Sequence, residues 1–186
     1  MSSLRDAAEH LAWKVLVRAG ATRPPVDIDA VAAAEGLLFR AIGFTTCSGA
    51  YLGMVPGARP PFDHAAIAVI GSHQHPLRQR FTKAHELGHH LVDEPRDWVV
   101  RMALPLPRNH KRNDYHPAQE FFAASLLMPR AWVDRFDGNS WRHRDVARLA
   151  RHFGVTRVAA AVRVQELYGR DMDLEPAGNM GPYELA

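Results

Sequence analysis

Apolar positions along the chain change their period twice, and those changes divide it into elements. Leu4, Ala7, Ala8, Leu11, Ala12, Val15 and Leu16 recur at the three-and-four spacing of one helix face, and Gly20 stands where a C′ glycine ends such a helix. Pro24-Pro25 interrupts the chain, after which Asp27 or Asp29 can cap a short helix running to Gly36. From Leu37 the period shortens. Residues 37–42, 50–55 and 65–70 are brief apolar runs bounded by Gly, Pro and Ser, and they read as strands. The helical period then returns. Pro76 suits a first helical turn, and a helix is expected from there to about Asp93. After a polar stretch over 94–115, Pro117 opens a helix through Leu127 that stops near Pro129. A short helix over 130–136 and a helix pair over 144–152 and 156–168, turning at Phe153-Gly154-Val155, complete the pattern. Residues 171–186 form an acidic, Pro- and Gly-containing tail, expected to be loosely held.

Composition narrows the class. With 186 residues, 47% hydrophobic and 23% charged, the chain can build a globular core, and one domain with a small helical appendage is expected. No run approaches the roughly 18 apolar residues of a membrane helix. The first residues lack the basic start and apolar run of a signal peptide. The single Cys47 leaves no internal disulfide, and a cytoplasmic location is expected. A net charge of +3 without a long basic block does not argue for nucleic acid. Histidine is abundant at 11 residues, which favours metal binding but also makes chance motifs commoner.

One motif stands out. His85-Glu86-Leu87-Gly88-His89 is an H-E-x-x-H inside the expected helix over 76–93. Residues four apart on a helix differ by about 40° in azimuth and roughly 6 Å in height, so both imidazoles can present to one ion. Glu86 lies one step round, where its carboxylate can take a proton from metal-activated water and pass it to a leaving amine. Gly88 removes a side chain and would let a strand or a substrate backbone approach. His90, about 140° from His85, suits a structural or supporting role. A hydrolytic zinc site needs a third protein ligand. His116 and Glu120, four apart, are the two candidates: either His116 binds with Glu120 orienting an imidazole, or Glu120 binds beside a polar His116.

These residues resemble the ImmA/IrrE family of metallopeptidases. The resemblance rests on Arg80-Phe81-Thr82 ahead of Ala84-His85-Glu86-Leu87-Gly88-His89, and on Phe122-Ala123-Ala124-Ser125-Leu126-Leu127-Met128-Pro129. Weaker matches are Pro24 to Ile28, Gly36, Val155-Thr156 and Arg163, so it extends over residues 4–169. It implies an α+β fold: a zincin-like core with a sheet of about three strands packed on the H-E-x-x-H helix, followed by helices. It also implies one Zn2+ per chain and cytosolic cleavage of a regulatory protein, often a DNA-bound repressor of stress-response or mobile-element genes. In the family the third ligand is usually a Glu four residues before an Asn or Asp. Counted back from Pro129, those positions fall on His116 and Glu120. The departure favours His116 as ligand, and a third imidazole leaves Mn2+ or Fe2+ as alternatives to zinc.

The remaining features are weaker. Tyr115, His110 and Tyr51 are candidate oxyanion donors, Tyr115 foremost, though spacing fixes none of them. His73 and His75 form an H-x-H that suits a solvated loop better than a second metal. Residues 146–167 resemble a helix-turn-helix, with Leu149, Phe153, Val155, Val158 and Val162 as its core and Thr156, Arg157 and Arg163 outward. So few basic groups are thin for phosphate binding; a pair that packs on the peptidase and helps hold a protein substrate is favoured over DNA binding. The expected organisation is a peptidase domain over 1–143, a helix-turn-helix-like segment over 144–170 and a tail over 171–186. The alternative function is a DNA-binding or repressor-binding regulator that keeps a structural metal without proteolysis.

Overall fold

The computed structural model describes residues 3–43, 48–54, 66–92, 116–136 and 143–169. Its elements follow the hydrophobic pattern closely: α1 (Leu4–Arg18), α2 (Ile28–Ala34), β1 (Leu37–Ile42), β2 (Gly49–Met54), β3 (Ala66–Gly71), α3 (Pro76–Val92), α4 (Pro117–Leu127), α5 (Arg130–Val133), α6 (His143–Phe153) and α7 (Arg157–Tyr168). Local signals explain the boundaries. Ser3 and Asp6 form a reciprocal capping box on α1, and Asp27 caps α2 through the Ala30 amide. Gly20 and Gly36 take positive φ after α1 and α2, a conformation that costs a side-chain-bearing residue far more than glycine. His75 closes the N-terminus of α3: its Nδ1 accepts from the Leu77 amide and its carbonyl from Arg78 and Gln79.

The fold is α+β. The three strands lie in the order β1-β3-β2, with β1 parallel and β2 antiparallel to β3. Parallel pairing runs in register from Leu37 opposite Ala66 to Ile42 opposite Gly71. On the other side, a bulge between Tyr51 and Gly53 shifts the β2 register. As the central strand, β3 buries Ala66, Ala68, Val69 and Ile70, the near-continuous apolar run expected of a covered strand. Helix α3 lies between this sheet and α4, and α1 packs on α4 from the far side. Ala84, Leu87 and Leu91 of α3, with Phe122, Leu126 and Leu127 of α4, join a single hydrophobic core with α1, α6 and α7. No helix among the described residues is long and apolar enough to cross a membrane.

The last helix sits differently from the expectation. Leu149, Phe153 and Val155 are buried as expected, but Val158 and Val162 are 42% and 46% exposed, whereas Arg163 is fully buried. Helix α7 is rotated so that Ala160, Ala161 and Val164 face the core with Arg163. Partners explain the burial. Arg163 Nε donates to the Met128 carbonyl at the end of α4, and Nη2 donates to Glu9 of α1 at 3.0 Å. A hydrophobic-periodicity argument places a charge outward; here the Met128 carbonyl and Glu9 accept from it inside, with Glu166 as an ion-pair partner 3.5 Å from Nη1. Burial pushes the guanidinium pKa down, while Glu9 and Glu166 push it back up. Thr156 is the N-cap of α7, accepting from the Ala159 amide, rather than an outward contact residue.

Candidate metal centre

The motif helix is held in place by its own polar residues. Arg80 Nε donates to the Gly154 carbonyl and Nη2 to the Val26 carbonyl, both at 2.9 Å, tying α3 to the α6–α7 turn and to the segment before α2. Lys83 pairs with Asp29 of α2 at 2.7 Å. His90 is buried and structural, as expected. Its Nε2 faces the Glu35 carbonyl at 3.0 Å and must be the protonated nitrogen, leaving Nδ1 to accept from the Tyr51 hydroxyl at 2.9 Å. Tyr51 thereby ties β2 to α3 through His90, so its hydroxyl is committed on the helix face away from His85.

Within this frame His85, His89 and His116 converge. Each offers a ring nitrogen, and the three nitrogens lie within 4.8 Å of one another. His89 Nε2 faces His116 Nδ1 at 2.9 Å. The ring of His116 stands edge-on to that of His89 and stacked with that of His85, with centroids at 4.6 and 5.8 Å. Tetrahedral zinc–nitrogen bonds of about 2.0 Å require donors about 3.3 Å apart, which small side-chain rotations reach from these positions. The residues therefore fit a zinc ion by donor chemistry and by spacing. His89 is 8% exposed and the side chain of His85 is 17% exposed, so the cluster is largely shielded from solvent.

Why His116 enters this cluster follows from its place at the N-cap of α4. Pro117 starts the helix, and the His116 side chain makes no capping bond there; it turns to His89 instead. Glu120, one turn on, does not join the three nitrogens. Its Oε1 lies 3.3 Å from His85 Nδ1, which leaves His85 Nε2 for the cluster. Of the two candidates left open by spacing, His116 lies within the three-nitrogen group and Glu120 lies beside His85.

Glu86 is 5% exposed. A Cβ at Gly49 would stand 2.9 Å from its Oε1 and 2.6 Å from Thr82 Cγ2, so the bare backbone of β2 lies directly over this carboxylate. The glycine at position 88 acts differently from the expectation of a strand or substrate approaching it. A Cβ there would meet Cα and Cβ of Gln119 and a ring carbon of Phe122, each at 3.2 Å, so it is helix α4 that comes close. That approach carries His116 and Glu120 to His85 and His89.

Gln119 is the residue that sequence reasoning missed. It is 4% exposed, with Nε2 3.4 Å from His89 Nδ1. The available signal was its spacing: three residues after His116, it shares that residue's face of α4. His73 and His75 form no part of the cluster, which is the one such group among the described residues. Tyr115, His110 and Cys47 lie outside the described residues, as does the tail over 171–186.

Comparison with known proteins gives three findings. Curated proteins yield no match. A Mycobacterium tuberculosis transcriptional regulator of known structure is similar, with a TM-score of 0.54 at 14% sequence identity, over 87% of this chain and 50% of that one. This chain thus spans about half of that regulator's length, and at that identity the likeness concerns the fold alone. The peptidase family described as IrrE N-terminal-like domain matches residues 52–165, from β2 through most of α7 and including the whole histidine cluster. Since that match takes in more than half of the 186 residues, the chain belongs to the IrrE N-terminal-like domain family.

Proposed function

We propose that this protein is a zinc-dependent endopeptidase that hydrolyses a peptide bond in a regulatory protein, a DNA-binding repressor of a stress-response or mobile-element system. The observation that carries this reading is the convergence of His85, His89 and His116 on the helix that holds the buried Glu86. The three histidines would hold one ion per chain, through Nε2 of His85 and His89 and Nδ1 of His116. A bound zinc ion supplies Lewis acidity, acidifying water and polarising a peptide carbonyl. Mn2+ and Fe2+ suit imidazole ligands as well. Glu86 is the proton carrier: its carboxylate accepts a proton from the attacking water and delivers it to the departing amine. Burial under β2 keeps that carboxylate away from bulk water.

Among the described residues β2 is an outer strand of the sheet, and its Gly49 lies over Glu86. An extended substrate segment adding to that edge would gain backbone hydrogen bonds and pass beside the carboxylate. The division into a catalytic part over 1–143 and a substrate-holding helix pair over 144–170 fits the exposed Val158 and Val162, which give α7 an apolar outer strip, while α6 exposes Arg148 and Arg151. With Arg163 turned inward, the α7 strip suits a protein partner better than duplex DNA. We place the reaction in the cytoplasm, where a lone cysteine stays reduced.

Co-expression with a candidate repressor, followed by intact-mass measurement, tests the reading. The wild type yields two repressor fragments whose masses sum to the intact repressor plus one water. Glu86→Gln binds zinc with wild-type stoichiometry and leaves the repressor whole. Cleavage by Glu86→Gln at the wild-type rate contradicts the role of Glu86. A repressor bound but uncut by wild type supports the non-proteolytic regulator instead.

A further inference from the structure

A metal-binding imidazole has two nitrogens, and the one turned away from the ion decides how firmly the ring is held. His89 directs Nε2 at His116, so its Nδ1 points back between α3 and α4, where the Gln119 carboxamide stands 3.4 Å away. His85 repeats the arrangement with Glu120 on its Nδ1. The two supports differ in environment: the Glu120 side chain is 42% exposed, whereas Gln119 is buried. Water can replace the first contact and has little access to the second.

Gln119 sits in the contact between α3 and α4. It lies against Gly88, beside Phe122, in a helix–helix contact where a side chain of similar volume such as Met or Leu would pack without desolvating a carboxamide. The absent side chain at Gly88 lets the Gln119 backbone seat on α3, which sets the reach of its carboxamide to His89.

We propose that Gln119 is a positioning residue for the metal centre, fixing the tautomer and ring plane of His89 so that Nε2 is presented to the ion. This rests on the assignment of His85, His89 and His116 as ligands. A neutral imidazole that coordinates through Nε2 carries its proton on Nδ1, so the carboxamide meets it oxygen first. A half-turn of the terminal amide exchanges oxygen and nitrogen without moving the rest of the side chain.

The test is metal affinity, read by competitive titration of zinc against a chromophoric chelator and by the visible spectrum of the Co2+ form. Gln119→Met keeps the volume and removes the acceptor. It is expected to weaken zinc binding about 10- to 100-fold and to alter the Co2+ ligand-field bands. Gln119→Glu, which restores an acceptor, is expected to recover affinity and spectrum. Glu120→Gln, at the exposed support, is expected to lose less than Gln119→Met. Thermal denaturation without added metal separates a folding defect from a binding one. Equal affinity and identical spectra for wild type and Gln119→Met overturn the proposal while leaving the centre intact. Failure of Gln119→Glu to recover a lost affinity also overturns it, because the loss would then be one of packing. A wild-type protein that binds neither ion removes the centre itself.

Discussion

His116 occupies a helix N-cap, where Ser, Thr, Asp or Asn would accept one of the first free amides of α4. It makes no such bond and is directed to His89. The helix terminus thus forgoes a contact worth about 1 kcal/mol so that an imidazole can reach the cluster. His116→Ser separates the two roles. Serine caps well and is no zinc ligand at neutral pH, so the variant is expected to be as stable as wild type or more stable without metal. It should also lose the rise in thermal midpoint that zinc is expected to give the wild type. Thermal scans with and without zinc check both halves; a zinc-induced rise retained in His116→Ser would contradict its place in the ligand set. That position was legible only as one of two candidates, because spacing puts His116 and Glu120 on one face and cannot say which one reaches α3. A cap residue lies outside the regular helix, so its direction depends on tertiary contact.

Between elements, the closeness of α3 and α4 decides whether the centre exists. Gly88 is the contact point, with Gln119 backbone and the Phe122 ring where its Cβ would be. Gly88→Ala gains helix propensity of about 1 kcal/mol but must push α4 outward against a packed core, at about 1–3 kcal/mol. The expected net result is a modest loss of stability and a clear loss of zinc affinity, since His116 recedes from His85 and His89. Urea denaturation and zinc titration measure the two; unchanged affinity would mean that α4 does not set the distance. Element types and most boundaries were readable from the sequence, because caps and glycines mark α1 and α2, and prolines mark α4, directly. The rotation of α7 was not. Its alternation of Val158, Val162 and Arg163 favours a valine face inward, and only the Met128 carbonyl and Glu9, brought there by distant segments, make the arginine face the buried one.

Across the molecule, Arg163 joins both ends of the described chain to the middle: Glu9 on α1, the end of α4 at Met128, and Glu166 on its own helix, whose carboxylate lies 3.5 Å away. Arg163→Met would leave that carbonyl and two half-buried carboxylates without their cation. The expected cost is about 3 kcal/mol, toward the low end for broken buried pairs because Glu9 keeps 26% of its side-chain exposure. The urea midpoint reads it, and a shift equivalent to less than about 1 kcal/mol would show that this tie is not holding the helices together. The metal centre is likewise a property of the whole chain, since its imidazoles come from two helices that meet only because the sheet, α1 and the α6–α7 pair pack around them. X-ray absorption of the zinc-loaded protein tests that centre most directly. The expected spectrum shows one zinc per chain with outer-shell scattering from three imidazole rings, falling to two rings in His116→Ser. Two rings in the wild type, or no bound zinc, would contradict it.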